Sequence, residues 1–238
     1  MIVQPFGFNL KKESGGGGGG AITYKNSFVE NFPDASATTF TTTGTLNIAS
    51  GDFVVVLVAY YSFDETLPDA ESIGGQALTL AHSSYVAGEK YRIRLLYKSN
   101  CSANSAATFV IDTSTANNAI NFVGVAAACY SGIAASSAFD TAACNDATCT
   151  ALATSSTSRT TQNITTANAN SLIVCAGIDW DGNKTHTAAN SFNKRLNGTT
   201  PFMFDKIVSS TGSYPGGNFS TTNTADQYLA ITAAFKGA

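Results

Sequence analysis

Charged side chains are scarce in this chain. There are 13 basic and 16 acidic residues among 238, which is 12% of the total, against about a quarter in an average soluble domain. The net charge of −3 excludes a broadly basic nucleic-acid binder and an acidic disordered tail. No apolar run approaches the ~20 residues a membrane helix needs. Histidine occurs only twice, at His82 and His186, and neither lies in a recognisable catalytic signature. A Ser-His-Asp set is defined by geometry rather than by spacing, so only the local signatures are excluded. There is no CxxC pair and no histidine adjacent in sequence to a cysteine, which argues against a zinc site. These shortages lead us to expect no enzymatic activity, no cofactor and no metal.

The chain does contain short β runs separated by Gly, Asn, Asp, Ser and Thr, the residues that favour turns. Phe53 to Tyr61 (FVVVLVAYY) is apolar on both faces and rich in β-branched and aromatic residues, the pattern of a central strand. Ala77 to Ala81 follows the Gly74-Gly75 turn signal. Lys90 to Lys98 alternates, with Tyr91, Ile93, Leu95 and Tyr97 on one face and Arg92, Arg94 and Lys98 on the other. Further strands are expected at Thr108 to Ile111, Ile120 to Tyr130, Ser171 to Trp180, Phe202 to Val208 and Gln227 to Phe235. In the last, Leu229, Ile231, Ala233 and Phe235 would face the core. No long 3.6-period helix appears, and no exact internal repeat is visible. The expected class is all-β, an antiparallel sandwich or barrel.

Five cysteines occur, an odd number that does not make a closed disulfide framework. Cys129 and Cys175 sit in apolar strands and read as small core residues. Cys144 and Cys149, in CNDATC, either close a short loop or remain free thiols. A chain assembled in a reducing cytoplasm favours the thiols. Asp179, Asp181 and Asn183 in DWDGNKT partly match a calcium loop, but no bidentate Glu follows, so a polar turn is the preferred reading. Asp64, Glu65, Asp69 and Glu71 crowd another loop. The Arg92, Arg94 and Lys98 stripe suits either an acidic partner surface or a solvated face that protects a sheet edge.

The N-terminal segment Met1 to Ser14 (MIVQPFGFNLKKES) lacks the layout of a secretory signal, because Gln4, Pro5 and Asn9 interrupt its apolar residues and Lys11 and Lys12 come after them. Instead Phe6, Phe8 and Leu10 alternate, as in a strand with one buried face. Gly15 to Gly20 is an unbroken six-glycine run, a flexible linker with no GKS or GKT ending to suggest phosphate binding. The expected layout is a docking arm (1–14), a tether (15–20) and a β-sandwich domain (21–238). Phe6, Phe8 and Leu10 would be the partner-docking residues.

Several segments in order, GDFVVVLVAYYS, IGGQALTLAHSS, YRIRLLYKSN, NFVGVAAACYSGI with AFD, NSLIVCAGIDWDG, DKIVSSTGSYPGGNFSTT and DQYLAITAAFKG, resemble a β-sandwich module of extracellular bacterial proteins and tailed-phage structural proteins. The resemblance covers roughly residues 40–236. It implies a jelly-roll-like sandwich used for display or binding, and it brings no catalytic residues. The resulting expectation is a virion structural protein of a tailed phage: a capsid decoration protein, head fibre or tail accessory. Such a protein is made in the host cytoplasm and exposed on the virion surface. Its partners would be a capsid or other virion protein reached through the arm, further copies of itself (a trimer favoured) and a host glycan, with no nucleic acid and no membrane. The alternative is a carbohydrate-binding or adhesive module, with Tyr85, Tyr91, Tyr214 and Trp180 as candidate contact aromatics. A jelly-roll hydrolase ranks third, since it needs paired carboxylates across a cleft.

Overall fold

Two runs of small and β-branched apolar residues, Phe53–Ser62 and Ser171–Asp179, form the central strands of two five-stranded antiparallel sheets. Side chains on both faces of these strands are buried, which is why the runs are continuously apolar instead of alternating. This computed structural model describes residues 20–32, 39–62, 70–86, 91–112, 120–144, 149, 158–179, 186–197, 201–220 and 228–238. Among them there is no helix. The chain is all-β and its sheets pack as sandwiches.

The first half of the chain supplies β1 (Thr23–Phe32), β2 (Thr39–Thr41), β3 (Leu46–Ile48), β4 (Phe53–Ser62), β5 (Ala70–Ile73), β6 (Gln76–Ala77), β7 (Thr79–Val86), β8 (Tyr91–Lys98), β9 (Asn104–Ala107), β10 (Phe109–Asp112) and β11 (Ile120–Ser131). The second half supplies β12 (Phe139–Cys144), β13 (Ser158–Thr160), β14 (Ile164–Thr166), β15 (Ser171–Asp179), β16 (Thr187–Ala188), β17 (Asn193–Asn197), β18 (Phe202–Val208), β19 (Gly212–Tyr214), β20 (Asn218–Ser220) and β21 (Tyr228–Lys236).

The two halves repeat one topology. The large sheets run β1-β11-β4-β8-β7 and β12-β21-β15-β18-β17, so that in each the first strand pairs with the last and the last with the central strand. The small sheets correspond as well, β2-β10-β5-β6 with β13-β20-β16, and β3-β9 with β14-β19. Bulges fall at matching places: on β7 between Leu80 and His82 and on β17 between Lys194 and Leu196, on β1 between Tyr24 and Asn26 and on β12 between Phe139 and Thr141. Before each central strand one residue takes positive φ, Gly51 at 86° and Asn170 at 54°. Both belong to types that tolerate this region. The next side chain then fixes the turn. Asp52 Oδ2 accepts from Ala49 N at 2.7 Å, and Ser171 Oγ donates to the Asn168 carbonyl at 2.9 Å.

The halves meet through their large sheets. β1 lies against β17 and β12 against β7, which relates the halves by an approximate two-fold passing near the contact of β4 with β15. The shared core contains Phe53, Val55, Leu57 and Ala59 from β4 and Leu172, Val174, Ala176 and Ile178 from β15, together with Leu229, Ile231, Ala233 and Phe235 of β21. The opposite face of the first large sheet (Val54, Val56, Val58, Val123, Val125) packs under its small sheets on Phe40, Leu46, Ile73, Phe109 and Ile111. That of the second (Ile173, Cys175, Phe202, Phe204, Ala230) packs under Ile164 and Phe192. The described residues therefore form four layers and three cores.

The chain path closes on itself at one corner. The Gly132 carbonyl accepts from Ala238 N at 2.9 Å, and Ile133 bridges Gly237. A Cβ on Gly132, whose φ is +78°, would lie 2.5 Å from the Ala21 carbonyl oxygen. Only glycine fits that approach.

Candidate functional site

The arm residues Phe6, Phe8 and Leu10 lie outside the described residues. The described chain starts at Gly20, and two residues later Ile22 is buried in the shared core. Gly20 and Ala21 before it are exposed, so the chain enters the packed interior at Ile22.

Two of the three residues of the basic stripe, Arg92 and Arg94, do not face solvent. Arg92 and Arg94 are each only 9% exposed, because β5 of the small sheet lies over that face of β8. Arg94 Nη1 sits 2.5 Å from Oε2 of Glu71 on β5. The Arg92 guanidinium lies 4.2 Å from the Tyr85 ring centroid, and its Nη1 donates to the Tyr60 hydroxyl at 3.5 Å. Burial lifts the Glu71 carboxyl to about 7, with the Arg94 charge pulling the other way. For these two arginines the expectation of a solvated or edge-protecting stripe is corrected. Alternation separates the two faces of a strand but does not show what covers each.

Of the calcium-loop candidates, Asp181 and Asn183 lie outside the described residues. Asp179 ends β15 fully buried, 3.3 Å from His186 Nε2, and the imidazole lies 4.6 Å from the Phe202 ring. Both side chains are at 0% exposure. Asp179 thus belongs to an interior pair. Of the other acidic group only Glu71 is described, and it takes part in the pair with Arg94.

A second buried carboxylate ties the halves together. Asp205 of β18 accepts from the Tyr130 hydroxyl of β11 at 2.8 Å, from Arg195 Nε at 2.6 Å and from Asn193 Nδ2 at 3.3 Å. Arg195 in turn lies 4.2 Å over the Tyr24 ring. Burial first, then the Asp205 charge, raises the Tyr130 phenol well above its ordinary value, so it remains a donor. The two-fold sends these seats to an aromatic set. Strand pairing matches Tyr130 with Phe235, Asp205 with Tyr97 and Tyr24 with Phe139, and those three rings pack within 6.2 Å of one another.

Cys144 and Cys149 are disulfide-bonded, which corrects the expectation that they stay as thiols. Cys144 ends β12, and its carbonyl accepts from Gln162 N at 2.9 Å. Cys149, at φ 58°, is held against β7: its carbonyl accepts from Ser84 Oγ at 2.7 Å and from Tyr85 N at 3.1 Å. Its Sγ lies 3.1 Å from His82 Nε2. His82 Nε2 and both Sγ atoms fall within 4.8 Å of one another. Burial lowers the His82 pKa, which favours the neutral ring. Sequence inspection missed this group because the contact spans 67 residues and neither segment carries a local motif.

The remaining cysteines behave as core residues. Cys101, Cys129 and Cys175 are buried, and burial pushes their thiols up to about 11, 12 and 12. The aromatic candidates for glycan contact are dispersed. Tyr85 lies under Arg92 beneath the small sheet, Tyr91 packs against the shared core on the other face, and the Tyr214 hydroxyl donates to the Ser210 carbonyl at 2.6 Å in the second half. Trp180 is outside the described residues. Compared with protein-family models, curated proteins and solved structures, the chain matches none.

Proposed function

We propose that this chain is a non-enzymatic structural protein of a tailed-phage virion, a capsid decoration, head-fibre or tail-accessory protein. In this reading the arm (1–14) docks on a capsid or other virion protein, the six glycines form the hinge, and the doubled β-sandwich is displayed on the particle surface. The observation that carries the reading is how few large apolar side chains the described residues of the body expose. Among the described residues only two large hydrophobic side chains are exposed, Leu80 and Ile207. The buried centre of an interface is enriched in apolar and aromatic side chains, and the alternating Phe6, Phe8 and Leu10 are the natural candidates to supply it. Burying all three contributes roughly 5–8 kcal/mol before ordering terms, at about 1.5–3 per large side chain. Ordering the glycines opposes this, and repeated copies in a small oligomer, a trimer by preference, would supply avidity.

The named carboxylates also support a non-catalytic reading, since Asp52, Glu71, Asp179 and Asp205 are engaged by Lys25, Arg94, His186 and Arg195. The test is a chain starting at Ala21. It is expected to fold with the same β content by circular dichroism yet fail to join particles that incorporate the full chain. Equal incorporation would remove the arm as anchor and with it the mechanical basis of the reading.

A further inference from the structure

We propose that His82, Cys144 and Cys149 form a metal site for a zinc-class divalent ion when the Cys144–Cys149 bond is reduced, so that disulfide and bound metal are alternative states of one site. Two thiolates and one imidazole are the donor types zinc selects, with a fourth position left to water. Donors around a tetrahedral zinc lie roughly 3.5–3.8 Å apart, as bond lengths of about 2.3 Å to sulfur and 2.0 Å to nitrogen require. Here all three donor atoms already fall within 4.8 Å of one another. Reduction frees the two sulfurs to separate by the small distance this geometry needs.

Bonds other than the disulfide hold all three residues in place. Cys144 is paired in β12 with Ile231 of β21, and its carbonyl is bonded to Gln162. The carbonyl of Cys149 is bonded by Ser84 and Tyr85 of β7. His82 follows the β7 bulge and pairs with Leu95 of β8. The sheet thus presents the histidine to Cys149 whether or not the sulfurs are joined. Conversion is balanced as follows. A dithiol reductant gives two electrons and two protons to the Cys144–Cys149 bond and becomes a cyclic disulfide itself. The incoming ion then displaces the two thiol protons to solvent.

The experiment titrates the full chain with cobalt(II) and then zinc(II), anaerobically, after reduction by a dithiol that is removed before the metal is added. The reduced chain is expected to take up one cobalt per chain, with a thiolate-to-cobalt charge-transfer band and the ligand-field bands of a tetrahedral site, and zinc should abolish both. The oxidised chain should show neither. Cys144→Ser with Cys149→Ser should remove binding while Cys101, Cys129 and Cys175 remain. His82→Ala removes a ligand and should weaken it by at least about tenfold, since loss of even a residue that only orients a ligand costs roughly that much. In case that variant folds poorly, zinc should also slow alkylation of Cys144 and Cys149 in the reduced wild-type chain, read by mass spectrometry. An octahedral cobalt spectrum, equal affinity of the oxidised chain, unchanged affinity in a folded His82→Ala chain, or alkylation unaffected by zinc would each overturn the proposal.

Discussion

At the residue scale, a buried polar side chain is only as secure as its partners. Asp205 is fully buried and relies on Tyr130, Arg195 and Asn193. Asp205→Ala leaves the Arg195 guanidinium and the Tyr130 hydroxyl without their acceptor at the junction of the halves, and it should destabilise by about 3–5 kcal/mol. Tyr130→Phe removes one bond to a charged acceptor while Arg195 still neutralises it, for a smaller loss of about 1.5–3 kcal/mol. Urea denaturation of both variants checks the order, and a Tyr130→Phe loss equal to the Asp205→Ala loss would contradict it. None of this was legible in the sequence, where Asp205 is one polar residue within FMFDKIV and Tyr130 reads as an apolar strand residue. The contact spans 75 residues. The same holds for His82 beside Cys149. By contrast Cys129 and Cys175 were legible, because a cysteine amid β-branched and small apolar residues has no environment available except the core.

At the scale of the element, strands covered on both faces announced themselves, while of the edge and cover strands only β10 and the start of β7 did. β4, β8, β11, β15, β18 and β21 follow from runs of β-branched and aromatic residues, with ends shifted by one residue at most. β1 (TYKNSFVENF) stayed hidden since it is an edge strand whose outer side is polar. Its polar side chains on the small-sheet face are engaged by the segment before β4, with Asn26 exchanging bonds with the Asn47 backbone and Glu30 accepting from Thr43 N and Gly44 N. Apart from β10, expected at Thr108 to Ile111, the cover strands escaped notice because they are two to four residues long, too short for periodicity. Missing β5 led to the misreading of Arg92 and Arg94. The β5–β8 contact also carries a pH dependence. The Glu71 carboxyl is raised from 4.5 to about 7 in the folded chain, so the folded state binds its proton more tightly than the unfolded chain does. The stability linked to that proton is present in full below about 4.5 and is lost as pH rises through about 7. Glu71→Gln stays neutral throughout. The stability difference between wild type and Glu71→Gln should therefore change between pH 4.5 and 7 and level off outside this window. A constant difference across it, in melts at several pH values, would contradict the assignment.

At the scale of the whole molecule, the two halves depend on each other. The face that β15 and β21 present to the first half is made of Leu172, Val174, Ala176, Ile178, Leu229, Ile231, Ala233 and Phe235, and without the first half it is one apolar surface. Residues 134–238 expressed alone should therefore self-associate, since contiguous apolar faces of that size are not left in water. Light scattering after size-exclusion chromatography reads this directly, and a stable monomer would show that the shared core is dispensable. The repeat itself was hidden in the sequence because corresponding seats hold unlike residues, Tyr97 against Asp205 and Phe235 against Tyr130. A two-chain symmetric assembly must change both copies of a seat at once. Within one chain each copy changes alone, and here one side has become an ionic lock and the other an aromatic stack. The corner where Ala21, Gly132 and Ala238 meet makes the backbone nearly a ring. A payload appended after Ala238 emerges beside Ala21. To carry it elsewhere on the surface, Ala238 can be joined to Ala21 and the ring opened at another loop, which moves the ends without moving a strand.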